Sequence, residues 1–521
     1  MKGGNNCLLL KFEQAMIKHN LILDLIKLGN LNKKHIPTTG SLTGTVFSCL
    51  GLTSILINAF SKYVKFDLYD ALIKLVDLMG CKSINYAFND HSLKGKLGFS
   101  RSSIYEKLSS EKINWTQLST CLMCKIAIAL FKFKGRKITD LFLVCDDSLM
   151  KRDRSSKKTE LLAKVYDHNR KTYHKGYTLI SLQLTDGKLS VPICFRVLSS
   201  SDKDKIIGCE PSTKHNKRLD KRKIYAKLVD VSKKEKSECL IDMIKEVRTH
   251  GITSDNLLFD SWFACPKHMK RLNEMGIAVT AMHRINTTRY YDANSNRAIS
   301  TKELLDQIKI RIKNGEKLSD IPITLKVRVG STNSNLFATL IMVRNWTDNS
   351  VSKKPYIPII STNMSFSKEQ IRRFYGYRWS IECSYKILKS LLNLEKGCQA
   401  NDFKTTLALT SIAYMRYAVL IAAKELFFPE ESMGDVLGKF QLQSSYGFLI
   451  QETFILLIEF YSKFHKHCTK DFQRSITDKI MSNFEEAMLE AILERQNSKL
   501  IVMMQNMADT KGFVFPISKH A

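Results

Sequence analysis

Residues Tyr375 to Lys389 read YGYRWSIECSYKILK. Four polar residues stand out there: Tyr375, Arg378, Glu382 and Lys389. On one α-helix, at about 100° per residue, their offsets place all four within a stripe of roughly 60°. Ile381, Tyr385, Leu388 and Leu392 recur beside that stripe at helical spacing and are expected to pack the helix onto a core. One carboxylate among two cations and a phenol is a set of groups suited to holding a metal beside a phosphate. The competing reading is a surface helix with ordinary ion pairs one turn apart.

Outside this stretch, the bulk composition narrows the partner. The chain has 521 residues and a hydrophobic content of 44%, enough for two to four domains and a sizeable core. Its 81 basic and 50 acidic residues leave a net charge of +31. A soluble protein this basic is expected to meet a polyanion, and nucleic acid is the commonest. A membrane surface is the rival, but no basic amphipathic helix is paired with an anchor. Residues 44–60 are uncharged, but they include Gly, Ser, Thr and Asn. The apolar stretch 405–423 contains Arg416. Both therefore read as buried helices of a protein with no membrane partner. The 13 cysteines have no framework spacing and read as reduced thiols of a cytoplasmic protein. Cys121 and Cys124 read as helix packing, and the cluster His465, His467 and Cys468 as no metal site.

The order Tyr-x2-Arg-x3-Glu-x6-Lys resembles the signature of insertion-sequence-4 type transposases, a DDE family with an RNase H-like catalytic core. All four positions match, and the flanks YIPIISTNMSFSKEQIRRFYGYRW and KSLLNLEKG are also similar to that family. The resemblance implies that Glu382 is the third of three catalytic carboxylates. It also implies two upstream aspartates at strand ends. ITDLFLVCDDS is a β-like run ending in two acids, and it resembles the family's first strand with its D-x-Ser/Thr. Asp146 fits that register, with Asp147 as the alternative; neighbouring strand residues face opposite sides, so a regular strand presents only one of them. LLFDSWF resembles the second-aspartate motif and ends a buried strand at Asp260. A helix and the strand IAVTAM follow, as in an α/β core that carries its acids at the carboxyl edge of the sheet.

Asp260 lies 114 residues after Asp146, and Glu382 a further 122 residues on, so the second gap must hold an insertion. The expected fold is α/β: an RNase H-like mixed sheet flanked by helices, a β-rich insertion before the last catalytic helix, and helical ends. The expected divisions are a helical DNA-binding region at 1–135, a catalytic domain at 136–400 with its insertion at about 283–355, and a helical region at 401–521 that would dimerise or buttress the core. Ser103 and Glu106 read as a capping box, and Asp186-Gly187 as a two-residue hairpin turn between two strands. Residues 203–236, with Lys217, Arg218, Lys221, Arg222 and Lys223, read as an exposed basic loop able to bind phosphate, or a solvated charge run. The C-terminal stretch from Asp402 reads as long amphipathic helices suited to a second subunit or to buttressing the core.

The resemblance further implies two Mg²⁺ or Mn²⁺ ions held by Asp146, Asp260 and Glu382, with Tyr375, Arg378 and Lys389 binding DNA phosphates. Three hard carboxylates suit such ions, which clamp the attacking and leaving oxygens of an in-line displacement. Trp346, in the insertion, is the expected base-stacking aromatic, against the alternative of a half-buried strand-end side chain. The expected function is cut-and-paste DNA transposition: metal-dependent cleavage at the terminal inverted repeats of a transposon and strand transfer into target DNA. It would be carried out by a homodimer in a bacterial, nucleoid-associated setting. The rivals are an RNase H-like nuclease without strand transfer and a non-catalytic DNA-binding protein derived from a transposase.

Overall fold

The computed structural model describes residues 42–50, 52, 68–79, 83–89, 99–167, 170–211, 224–345 and 355–440. The chain begins with helices α1 (Leu42–Cys49), α2 (Leu68–Asp77), α3 (Ile84–Asn89), α4 (Arg101–Leu108) and α5 (Trp115–Phe133). Helix α4 starts before the expected capping box. Ser100 is the N-cap, its hydroxyl accepting the Ser103 amide at 3.1 Å, so Ser103 lies inside the first turn. Ser100 holds the extended backbone that a cap requires, and this decides among the serines of the run SRSS. In α5, Leu122, Met123, Ile126 and Leu130 are buried. Cys124 is buried with them, its thiol against the Ile193 carbonyl at 3.5 Å, as core packing requires.

Next come β1 (Phe142–Lys151), β2 (Ala163–Asp167), β3 (Thr172–Thr185) and β4 (Ser190–Leu198). Helices α6 (Ile224–Ser232) and α7 (Lys236–Thr249) lead to β5 (Asn256–Phe259), α8 (Pro266–Glu274) and β6 (Ala278–Met282). The order β4-β3-β1-β5-β6, with β1, β5 and β6 parallel and β3 and β4 antiparallel, is that of an RNase H-like domain. Two local expectations change. The β3–β4 connection is a four-residue loop, Asp186 to Leu189, because the Asp186 carboxylate accepts the amides of both Lys188 and Leu189 and holds the wider turn. The basic stretch 203–236 is not all loop: α6 occupies part of it, with Tyr225, Ala226 and Val229 buried. Lys217, Arg218, Lys221, Arg222 and Lys223 lie outside the described residues.

After β6 come β7 (Arg289–Asp292), β8 (Ala298–Ser300), α9 (Thr301–Lys313), β9 (Ile323–Val329), β10 (Phe337–Arg344) and β11 (Tyr356–Ser361). The strands of the inserted stretch extend the core sheet, because β11 pairs with β6, and β10 then pairs with β11. The described sheet has eleven strands. The last elements are α10 (Lys368–Gly376), α11 (Trp379–Ser390), α12 (Leu394–Gly397) and α13 (Phe403–Phe427). Helix α13 is not amphipathic as expected: it is buried on every side from Thr405 to Ala423. Its one buried cation, Arg416, donates from Nε and Nη2 to the Leu75 carbonyl at 3.0 and 2.7 Å. Both α5 and α13 are long and apolar enough to cross a membrane, but α13 is enclosed by protein. The cluster His465, His467 and Cys468 and the later amphipathic stretch lie outside the described residues.

Candidate active site

Leu257, Leu258 and Phe259 of β5 are wholly buried and run parallel to β1, with Cys145 opposite Phe259 as the last pair. Asp146, midway along β1, and Asp260, the residue just after β5, each follow that last pair. They therefore stand beside each other where β5 ends, and strand ends are where an α/β fold exposes its functional groups. The Asp260 carboxylate accepts the Trp262 amide at 2.9 Å, which fixes the turn that follows. The Asp146 carboxylate accepts the Asp147 amide at 2.8 Å through Oδ1. Asp147 pairs with Lys236 of α7 at 2.8 Å, whereas Asp146 pairs with Arg378 ahead of α11, so the two adjacent acids diverge as strand alternation dictates.

The stretch from Tyr375 to Lys389 is two helices rather than one. Tyr375 lies in the last turn of α10, Tyr377 and Arg378 form the joint, and Glu382 and Lys389 belong to α11. The joint is anchored by rings: Phe142 of β1 packs against Phe374 at 4.7 Å and Tyr377 at 5.6 Å between centroids. Gly187 of the β3–β4 loop lies under the Tyr377 ring, so that an added Cβ would come within 2.3 Å of it. Helix α11 is held down by Ile381, Tyr385 and Leu388, all buried as the sequence pattern predicts. The Tyr385 hydroxyl donates to the Asp146 carbonyl at 2.8 Å, which ties the helix to the strand at the acid itself.

Arg378 joins two of the acids. Its Nη1 donates to Asp146 Oδ2 at 2.9 Å, and its Nη2 donates to Glu382 Oε1. Its guanidinium also lies 6.0 Å from the centre of the Tyr375 ring. Tyr375 packs against the core of Ile341, Val343, Ile359 and Ile371. Lys389 donates to the Leu149 carbonyl of β1 and pairs with Glu395 at 3.1 Å.

Burial dominates the electrostatics here. It pushes the Asp146 carboxyl up to about 7, against the pull of Arg378 and with the help of Asp260. It also raises Asp260, which the Trp262 amide opposes and the Asp147 charge reinforces. The Tyr375 phenol is pushed up to about 12, chiefly by burial, and is a neutral donor at physiological pH. Carboxylates crowded at a dry edge are groups that a divalent cation would relieve, and their hard oxygens suit Mg²⁺ or Mn²⁺. As the side chains stand, no three such groups among the described residues are gathered closely enough to hold an ion. Arg378 takes the position between Asp146 and Glu382. The donor types present, carboxylate oxygens, are those that such an ion takes.

Three site residues escaped the sequence reading. Trp262 is 37% exposed two positions after Asp260, and Lys236 lies 4.6 Å from its ring centre. Trp379, beside Arg378, is 63% exposed. Their motifs are visible in the sequence, but exposure of an aromatic is not. Trp346 lies outside the described residues.

Residues 69–302 match the family model described as DDE superfamily endonuclease, and residues 212–416 match that described as transposase DDE domain. No curated protein matches the chain. Asp146 falls in the first match, Asp260 in both and Glu382 in the second, and together the two matches support a DDE transposase family for this chain.

Proposed function

We propose that the protein is a DNA transposase of the insertion-sequence-4 type, cleaving transposon ends and joining them to target DNA at one site. The observation that carries this reading is the single guanidinium of Arg378 spanning Asp146 and Glu382, with Asp260 at the neighbouring strand end. Asp146, Asp260 and Glu382 would hold two Mg²⁺ or Mn²⁺ ions. When bound, such ions activate an attacking water or 3′-hydroxyl and take up charge on the leaving oxygen. The protein's own groups then orient the DNA. Arg378 offers a planar fork to a phosphate, Lys389 a point charge, and Tyr375 a neutral hydroxyl donor. Trp346 is the proposed base-stacking residue, and two subunits would bring two ends together.

A nuclease without strand transfer is the second reading, favoured by the endonuclease description of the match over 69–302. Incubating the protein with Mg²⁺, DNA carrying the sequences that flank its gene and a target plasmid separates the two. Joined products support the transposase, and cleavage alone supports the nuclease. Glu382→Gln is expected to abolish cleavage while leaving DNA binding intact. Cleavage surviving in that variant would remove Glu382 from the site, and a wild type that binds but never cuts would leave a DNA-binding protein only.

A further inference from the structure

The ribbon made by β2 and the first residues of β3 stands beyond the carboxyl end of β1, since β1 ends with Lys151 opposite Gly176. Its cross-strand pairs are Lys164 with Lys175 and Tyr166 with Tyr173. Strand alternation puts these four side chains on one face. All four are exposed, the two rings 39% and 60%, with centroids 5.1 Å apart, and Arg170 and Lys171 are exposed at the tip. The reverse face collects the acids: Asp167 pairs with Lys151 at 3.2 Å, and Asp153 with His174 at 2.9 Å. Among the described residues, Lys175 Nζ donates to the Ser155 carbonyl at 3.4 Å. Two lysines directly opposite each other destabilise a ladder unless an anion lies across them. Lysines also guard exposed strand edges, but edge protection does not explain two paired, exposed tyrosine rings between charges.

The ribbon is in line with the candidate site. Asp146 pairs with Ser181 on β3, and Ser181, Lys175 and Tyr173 have the same parity. The Lys–Tyr face is therefore, by register, the face on which Asp146 meets Arg378. Lys389, bonded to the Leu149 carbonyl, stands between the two along β1. At about 3.4 Å per residue, Tyr173 lies roughly 27 Å from Ser181 along the strand. That is about eight steps of duplex DNA at roughly 3.4 Å each.

We infer that the Lys164–Lys175–Tyr166–Tyr173 face of the β2–β3 ribbon is a docking surface for the backbone of duplex DNA flanking the reacting phosphate. The inference rests on the transposase reading, in that it needs DNA at the acids. Lysines and tyrosines of this kind position a duplex through its phosphates without reading its sequence.

The test measures binding of a mixed-sequence duplex by the full chain, by fluorescence anisotropy, between about 50 and 200 mM salt. The variants are Lys164→Ala/Lys175→Ala, Tyr173→Ala, the charge-keeping Lys164→Arg/Lys175→Arg, and a remote control, Lys309→Ala/Lys313→Ala on α9. Losing two phosphate contacts is expected to make the log–log salt slope shallower by about 1.8 in the ribbon double alanine variant. Tyr173→Ala is expected to weaken binding without changing the slope, and the arginine pair to keep the wild-type slope. Thermal unfolding of the double alanine variant at or above the wild-type midpoint shows that folding is intact. An unchanged slope in that variant, or an equal loss in the remote control, overturns the ribbon surface while leaving the site reading standing. A wild type that fails to bind duplex DNA overturns both.

Discussion

At Arg378 two ion pairs meet on one partly buried guanidinium, with Arg378 and Asp146 only 16% and 14% exposed. Removing one partner of such a buried pair is costly because the other charge is left uncompensated. Arg378→Gln is therefore expected to lower stability by about 3 kcal/mol without divalent ions. Added Mg²⁺ should raise its unfolding midpoint more than that of the wild type, because the ion replaces the lost cation. Equal Mg²⁺ responses in calorimetry would argue against shared carboxylates. A second residue gives a pH dependence. Burial holds the His283 imidazole below its ordinary value; its Nδ1–H donates to the Arg284 carbonyl, 2.7 Å away, and the ring faces the Arg284 charge and the Tyr290 ring. The folded protein takes up this proton later than the unfolded chain, so the stability His283 contributes is present above about pH 6.5 and lost as pH falls below it. Between pH 7 and pH 5 (about neutral to mildly acid), the wild type should lose more stability than His283→Gln; parallel curves would contradict this.

At the scale of elements, the α10–α11 joint fixes where Arg378 stands, and the β3–β4 loop supports the joint. Gly187 holds φ +91° under the Tyr377 ring, whereas Gly276, with φ +72°, has nothing near its missing Cβ. Gly276→Ala should cost only the backbone penalty, about 1–2 kcal/mol. Gly187→Ala should cost more and reduce DNA cleavage more than DNA binding, because it pushes on Tyr377 and so on Arg378. Equal unfolding midpoints for the two variants would show that the contact has no such role. Much of this level was readable in the sequence. The apolar spacing of Ile381, Tyr385 and Leu388 gave the packed face of α11, and the apolar run ending in an acid gave β5, whereas β1 does not end at its acids as expected but runs on to Lys151, because β3 pairs with it that far. The break at Gly376 to Arg378 was not readable, because Tyr377 and Arg378 keep helical dihedrals and only ring packing against Phe142 marks the joint. The Asp186 loop was misjudged because an Asp-Gly pair suits a tight turn, while this carboxylate binds two amides beyond it.

At the scale of the whole molecule, the β-like insertion and the described helices on either side of the sheet-bearing core were anticipated, but their connections were not. That the inserted strands lengthen the core sheet depends on β11 pairing with β6 and β10, a long-range register invisible to local patterns. The enclosure of α13 likewise follows from its surroundings, with Arg416 reaching α2 through the Leu75 carbonyl. The ribbon face emerged only from the pairing of β2 with β3. What the sequence did carry was the position of three acids more than a hundred residues apart, which the proposed function takes as one site.

The most direct test of that convergence is a Mn²⁺ titration of the full chain followed by electron paramagnetic resonance, comparing the wild type with Asp146→Asn, Asp260→Asn and Glu382→Gln. Each variant is expected to bind Mn²⁺ more weakly by at least the roughly tenfold that loss of a mere supporting partner costs a metal site, while still binding DNA. Mn²⁺ curves that coincide for the wild type and all three variants would contradict a shared site.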